Sequence, residues 1–224
     1  MPIQTTLPAT TPRRPRGRPR KTMADQDAGN RRRQLVTGAA KLFRRQGFDA
    51  TSTRDIAAAV GMQSGSPFYH FKSKGALLFA VMEEGMQGAI LRQAKVIEKH
   101  QLLQKRELLE QYPQGFMAVL IKNHFEILLG PGSDFIPVML YEWRSINPHQ
   151  RALIAGLQAR YEAAWIPVLQ ALFDAGQLTA DVKLARLLIF GALNWSAQWF
   201  DRRKEASIDD LTAAAMALFI REAA

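Results

Sequence analysis

The stretch Thr51 to Lys74, TSTRDIAAAVGMQSGSPFYHFKSK, most limits what this chain can fold into. It reads as two short helices joined by a tight turn. The first is expected over about Thr53 to Val60. Ser52 sits at its N-cap, and Asp55 three residues on completes a capping box. Ile56, Ala57 and Val60 share one face and can pack on a small core. Gly61 supplies the backbone freedom of the turn, and Met62 looks inward there. A second helix is expected from Gln63 or Ser64 to about His70. Its first turn holds Ser64, Gly65, Ser66 and Pro67, small residues at the end that faces a partner. Pro67 is tolerated because first-turn N–H groups have no intrahelical acceptor. This is a helix-turn-helix, with its second helix placed to enter a DNA major groove.

The flanking sequence continues in helices. One is expected from about Asn30 to Gln46, with Leu35, Ala39, Leu42 and Phe43 as its apolar stripe and Gly47 just past its end. Ser73 caps a long helix to about Lys99. Gln101 to Gln111 is charged and ambiguous. Pro113 opens a helix that runs to Gly130, and Ser133 caps another through about Arg144. Asn147-Pro148 opens a long helix to Ala175 that Pro167 should kink. Thr179 caps a helix over about Ala180 to Arg203, apolar nearly all round from Leu184 to Trp199. Ser207 and Asp210 form a second capping box ahead of the last helix. No strand pattern competes, so the fold class is all-α. Two such apolar helices would expose too much surface on a monomer, and pairing them with a second copy would make a four-helix interface.

Charge is unevenly placed. Residues 1 to 33 hold nine Lys/Arg against two Asp, a net +7 of the chain's +10. A basic N-terminal end beside a near-neutral remainder points to a nucleic-acid partner for that end alone. Residues 1–28 are rich in Pro, Thr and Arg without apolar periodicity and read as a disordered basic tail. Within it, Arg16 and Arg18 lie in an Arg-Gly-Arg-Pro segment like an AT-hook, suited to the narrow minor groove of A·T-rich DNA. The plainer reading is a solvated tail that adds phosphate attraction. The chain has no cysteine, which excludes disulfides and suits a reducing cytoplasm. No apolar run is long enough to span a membrane.

Taken as a set, Leu42-Phe43, Gly47, Thr51-Ser52-Thr53, Arg54-Asp55-Ile56-Ala57, Gly61, Phe68-Tyr69-His70-Phe71 and Ser73-Lys74 resemble the tetracycline-repressor (TetR) family of one-component transcriptional regulators. The resemblance covers about Arg31 to Ile90. It departs at Phe68, where the family usually carries a phosphate-binding tyrosine, and at Pro67, usually aliphatic. It implies an N-terminal three-helix helix-turn-helix DNA-binding domain over residues 29–90. A C-terminal helical ligand-binding and dimerisation domain follows over residues 91–224. Carried over position by position, Thr53 and Arg54 lie beside a phosphate. Gln63, Ser64, Gly65 and Ser66 meet base edges. Tyr69 and His70 reach bases or flanking backbone, and Lys74 contacts a phosphate.

The C-terminal half shows no catalytic constellation, phosphate loop or metal-like spacing, so no enzyme, cofactor or metal is expected. His124 reads as a satisfied core or surface histidine. Gly191-Ala192-Leu193-Asn194-Trp195 followed by Trp199 resembles the helix of family members that sense acyl-CoA thioesters. That implies a ligand site of Asn194, Trp195 and Trp199, and Tyr141, Trp143, Arg144 and Trp165 could line the same cavity. The same tryptophans could equally be core or dimer-interface aromatics. The expected function is a homodimeric repressor on a palindromic double-stranded DNA operator, released by a small apolar or acyl-CoA-type effector. The competing readings are a non-specific, nucleoid-type DNA-binding protein and, more weakly, an enzyme with a site visible only in space.

Overall fold

A computed structural model describes residues 23–63, 67–100, 106–201, 203–204 and 206–221, and among them there are helices and no strand. In chain order they are α1 (Met23–Gln46), α2 (Thr53–Ala59), α3 (Pro67–His70), α4 (Lys74–Lys99), α5 (Arg106–Gln111), α6 (Pro113–Leu129), α7 (Phe135–Tyr141), a 3-10 turn (Trp143–Ser145), α8 (Pro148–Ala163), α9 (Ile166–Asp174), α10 (Val182–Trp199) and α11 (Ile208–Phe219).

Three helices start on reciprocal capping boxes: Ser52 with Asp55, Asn147 with Gln150, and Ser207 with Asp210. Each satisfies two orphan N–H groups and contributes on the order of 1 kcal/mol. Four boundaries differ from the sequence reading. α1 begins at Met23, because Met23 to Ala28 hold no proline and Gly29 costs only about 1 kcal/mol within a helix. The basic tail is shortened accordingly, and its Arg16 and Arg18 lie outside the described residues. Ser133 is buried and does not cap; α7 starts at Phe135 and ends at Tyr141. Pro167 breaks the long helix instead of kinking it. Lacking an N–H and crowding the carbonyl four residues back, it takes a first-turn position in a new helix, α9. The cap of α10 is Asp181, not Thr179: its carboxylate accepts from Lys183 N at 3.0 Å and Leu184 N at 3.1 Å. An ionised acceptor at a helix N-terminus is favoured over a hydroxyl there.

One continuous apolar core runs from α1 to α11. α4 is its spine, packing on α1, α6, α7 and α8, while α6 packs on α9, α10 and α11. α7 rests against the backbone of α4 at Gly85, where an added Cβ would lie 2.1 Å from Phe135 Cδ2. α10 was expected to need cover on every face. Within one chain it buries only Ala185, Ile189, Phe190, Leu193 and Ser196. Leu184, Leu187, Leu188, Trp195 and Trp199 stand exposed on its other side, with Leu218 of α11 also exposed. No helix among the described residues is long and apolar enough to cross a membrane.

Candidate nucleic-acid interface and effector cavity

α2 is set by its cap. Ser52 Oγ accepts from Asp55 N at 3.1 Å, and Asp55 Oδ2 accepts from Ser52 N at 2.8 Å. Ser52 Oγ also donates to Asp55 Oδ2 at 2.7 Å, and this bond, followed by the one from Ser52 N, holds the Asp55 carboxyl below its ordinary range. Ile56 and Ala57 face the core. The chain then turns on Gly61 at φ +67°, with Met62 N donating back to Ala57 O at 2.8 Å. α3 enters on buried Pro67, and Phe71 beyond it is also buried. These anchors leave Arg54, Gln63 and Tyr69 exposed and Thr53 and His70 partly so. Tyr69 is 89% exposed, an aromatic ring held out on the first residues after a helix-turn-helix turn. Ser64, Gly65 and Ser66, expected at base edges, lie outside the described residues.

Lys74, expected at a phosphate, has partners within the fold. Its ammonium donates to Phe48 O at 2.7 Å and Asp49 O at 3.4 Å and sits 4.2 Å from the Phe48 ring centroid. It is turned onto the α1–α2 connection. The reason is local: α1 ends at Gly47 with φ +83°, which leaves carbonyls without helical donors, and a cation over a phenyl face is favourable. Arg32 is similarly occupied, ion-paired with Glu84 and 5.1 Å over the Phe71 ring.

The second site lies in the helical body. Met86 and Ala89 of α4, His124 of α6, Ile136 and Met139 of α7, Gln158, Tyr161 and Glu162 of α8, and Phe190 and Asn194 of α10 line a cavity partly open to solvent. Its free space is about 30 Å³, enough for a water and for no larger ligand without rearrangement. One wall is a polar relay. His124 Nδ1 lies 3.1 Å from Tyr161 Oη, and Nε2 lies 3.2 Å from Asn194 Oδ1. Asn194 Oδ1 can only accept, so Nε2 carries the proton and Nδ1 accepts from the tyrosine hydroxyl. Burial pushes the His124 pKa down to about 4, with the Asn194 hydrogen bond opposing, and pushes the Tyr161 phenol up. The imidazole is therefore neutral near pH 7. Behind it Trp165, fully buried, packs at a tilt with its ring centroid 4.6 Å from that of Phe190 and donates to Gln93 Oε1 at 2.9 Å. Gln93 Nε2 in turn donates to Tyr161 O at 2.7 Å. Glu162 pairs with Arg186 at the rim.

Of the ligand residues expected from sequence, the structure brings only Asn194 to this cavity, with Trp165 in the layer behind it. Trp195 and Trp199 are 65% and 56% exposed on the far side of α10, because successive helical residues are about 100° apart and Asn194 cannot share a face with Trp195. Tyr141, Trp143 and Arg144 sit at the end of α7, outside the cavity lining. That end has another role. Glu142 Oε1 accepts from Phe48 N at 2.8 Å, and at the other end of α7 Asp134 pairs with Arg44 at 2.9 Å. α7 therefore touches the cavity with Ile136 and Met139 and grips the C-terminal end of α1 with Asp134 and Glu142. No sequence signal marked Asp134, Glu142 or Tyr161, since each partner lies at least 37 residues away.

A capped helix-turn-helix packed onto a helical body with its own cavity is the architecture of a helix-turn-helix transcriptional regulator. Two family models match, that of bacterial regulatory proteins of the tetR family over residues 35–81 and the tetracyclin repressor-like C-terminal domain over residues 116–223. The chain belongs to the TetR family of transcriptional regulators. It is similar to the HTH-type transcriptional repressor Rv1474c of Mycobacterium tuberculosis, 43% identical over 54 residues, which is 24% of this chain and spans only 29% of that relative. Among solved structures it is similar to PfiT, described as a superantigen, at 32% identity and TM-score 0.67 over 85% of this chain and 96% of that one. It shares its fold with AibR, solved with isovaleryl coenzyme A and operator DNA, at TM-score 0.72 and 20% identity over 84% and 97%.

Proposed function

We propose that this protein is a repressor that binds a palindromic operator as a homodimer and releases it when a small, largely apolar effector occupies the helical body. The observation that carries the DNA half of this reading is Tyr69, fully presented beside Thr53, Arg54, Gln63 and His70 while Pro67 and Phe71 anchor the helix beneath. Exposed polar and aromatic side chains on a rigid helix-turn-helix are what base edges and phosphates engage. From their sequence positions we assign base contacts to Ser64, Gly65 and Ser66 as well, and minor-groove or phosphate contacts to Arg16 and Arg18. Such work places the protein in the cytoplasm. We take residues 23–90 as the DNA-binding unit and 91–224 as the ligand and dimer unit.

The stripe Leu184, Leu187, Leu188, Trp195 and Trp199 favours dimerisation through α10 and α11, since a contiguous apolar face of this size is uncommon on a monomer. α7 is the physical link between the two activities. Displacing Ile136 or Met139 from the cavity side moves the element that holds Arg44 and the Phe48 N–H, and with them the end of α1. An effector then lowers DNA affinity by favouring a different spacing of the two DNA-binding units. The acyl-CoA bound by AibR is one class of effector that suits an apolar cavity with a polar wall. Footprinting on DNA flanking the gene tests the reading: a regulator protects a short palindrome, whereas a nucleoid-type protein protects no preferred site.

A further inference from the structure

We propose that the cavity bounded by α4, α6, α7, α8 and α10 selects a compact, uncharged carbonyl compound, whose oxygen is bound by the side-chain amide NH2 of Asn194. This rests on reading the chain as an effector-responsive regulator and names the chemistry its effector must have.

The selection comes from a fixed sequence of donors. Asn194 Oδ1 faces His124 Nε2 at 3.2 Å and can only accept, so the ring is the Nε2–H tautomer and Tyr161 Oη donates to Nδ1. Asn194 on its own could present either end of its amide, because oxygen and nitrogen are nearly isosteric. With its oxygen held by the imidazole, the group left to meet a ligand is Nδ2, a donor. Asn194 lines the cavity and is only partly buried, so it is positioned to do so. The relay thus turns an ambivalent amide into a donor-only site that matches an acceptor such as a ketone, ester, amide or thioester oxygen.

The same wall rejects an anion. Glu162 lines the cavity, and its cationic partner Arg186 is already engaged by it. His124 is buried and neutral and cannot cheaply become a counter-ion. A carboxylate or phosphate inside would lose its hydration with no free cation to replace it. Shape restricts the ligand further. Phe190 and His124 line the cavity with their rings 5.3 Å apart edge to face, and Trp165 packs against both from behind. The adaptable wall is Met86 and Met139, whose unbranched side chains can shift to admit a small group. A short hydrocarbon with one carbonyl fits this pattern. That carbonyl can belong to a free ketone or to an acyl thioester whose charged carrier stays outside.

Calorimetric titration of the full-length protein without DNA tests the proposal. The probes are isobutyl methyl ketone, isovaleryl coenzyme A, isovalerate and isohexane. The ketone or the thioester is expected to bind at least about tenfold more tightly than isovalerate, the weight of one hydrogen bond and an avoided buried charge. Asn194→Leu should shift the ketone-to-isohexane affinity ratio by about tenfold toward the hydrocarbon. Asn194→Asp, which keeps the volume and replaces the donor with an acceptor, should do at least as much. Tyr161→Phe should shift the ratio the same way by less, because His124 loses the donor that fixes its tautomer. Whether the ketone or the thioester shows the Asn194 dependence identifies the source of the carbonyl. Isovalerate binding as tightly as both, no binding of either carbonyl probe, or a ratio unchanged in both Asn194 variants would overturn the proposal. Operator binding is measured separately. Carbonyl binding without any operator binding sinks the regulator reading alone, and operator binding without carbonyl binding sinks this one alone.

Discussion

The DNA-facing end and the cavity wall use aromatic and polar residues in opposite ways. At the first, Tyr69 makes no packing commitment and stands in solvent above two buried anchors. At the second, Trp165, His124, Tyr161, Gln93 and Asn194 each have a partner within the fold. The contrast separates two kinds of binding surface. A surface that meets a large, pre-shaped partner such as a duplex can leave its side chains uncommitted, because the scaffold alone sets their position. A cavity that must choose among small molecules has to fix each polar atom beforehand, and it does so with a network.

That difference predicts how each region responds to damage. Trp165→Ala should cost about 3–5 kcal/mol of stability, since it removes a fully buried indole and orphans Gln93. Chemical denaturation measures it, and a loss under 1 kcal/mol would mean the wall is not a packed unit. The next effect is a pH dependence. The folded His124 pKa of about 4 lies below the unfolded value of 6.5, so the unfolded chain binds the extra proton first. This contribution is complete above about pH 6.5 and is lost as pH falls toward 4, up to about 3 kcal/mol in all. His124→Phe should flatten the stability profile across that window, and an unchanged slope would contradict the neutral buried imidazole.

Smaller effects separate two neighbours at the DNA end. Tyr69→Ala should weaken operator binding by roughly 1–3 kcal/mol while the melting temperature stays put. Lys74→Met should do the reverse, lowering stability by about 1–2 kcal/mol through the lost bonds to Phe48 O and Asp49 O. Equal melting losses in both variants would erase the distinction between presented and committed residues.

The sequence made the first region legible and the second nearly opaque, for a physical reason. The helix-turn-helix is specified locally: Ser52 with Asp55, Gly61 at the turn and Ser73 at the next cap all act within a few residues. Such signals survive in a linear reading: α2 and α4 stand where those caps put them, while α3 starts at Pro67 with Gln63 outside it. The partners of Lys74 were not legible, because the carbonyls of Phe48 and Asp49 precede it by some 25 residues and are invisible to a local pattern. The cavity depends on longer reaches still, 70 residues from His124 to Asn194 and 72 from Gln93 to Trp165. The local run around Asn194 drew attention to Trp195 and Trp199, yet helical phase sends those two to the exposed side. Pro167 misled in a milder way, since a proline inside an apolar pattern is compatible with a kink or a restart, and the packing of α9 on α6 and α10 selects the restart.

The most direct test of the central claim is the geometry of the DNA site. A dimer with one recognition helix per subunit requires half-sites about one helical turn, ~34 Å, apart on the same face of the duplex. Once the operator is footprinted, inserting about five base pairs between its halves turns one half-site to the opposite face. Titration by fluorescence anisotropy should then show affinity falling by about a hundredfold or more, toward the level of non-specific DNA. An affinity unchanged by the insertion would contradict the account, because it would mean that the two subunits do not read the two halves together.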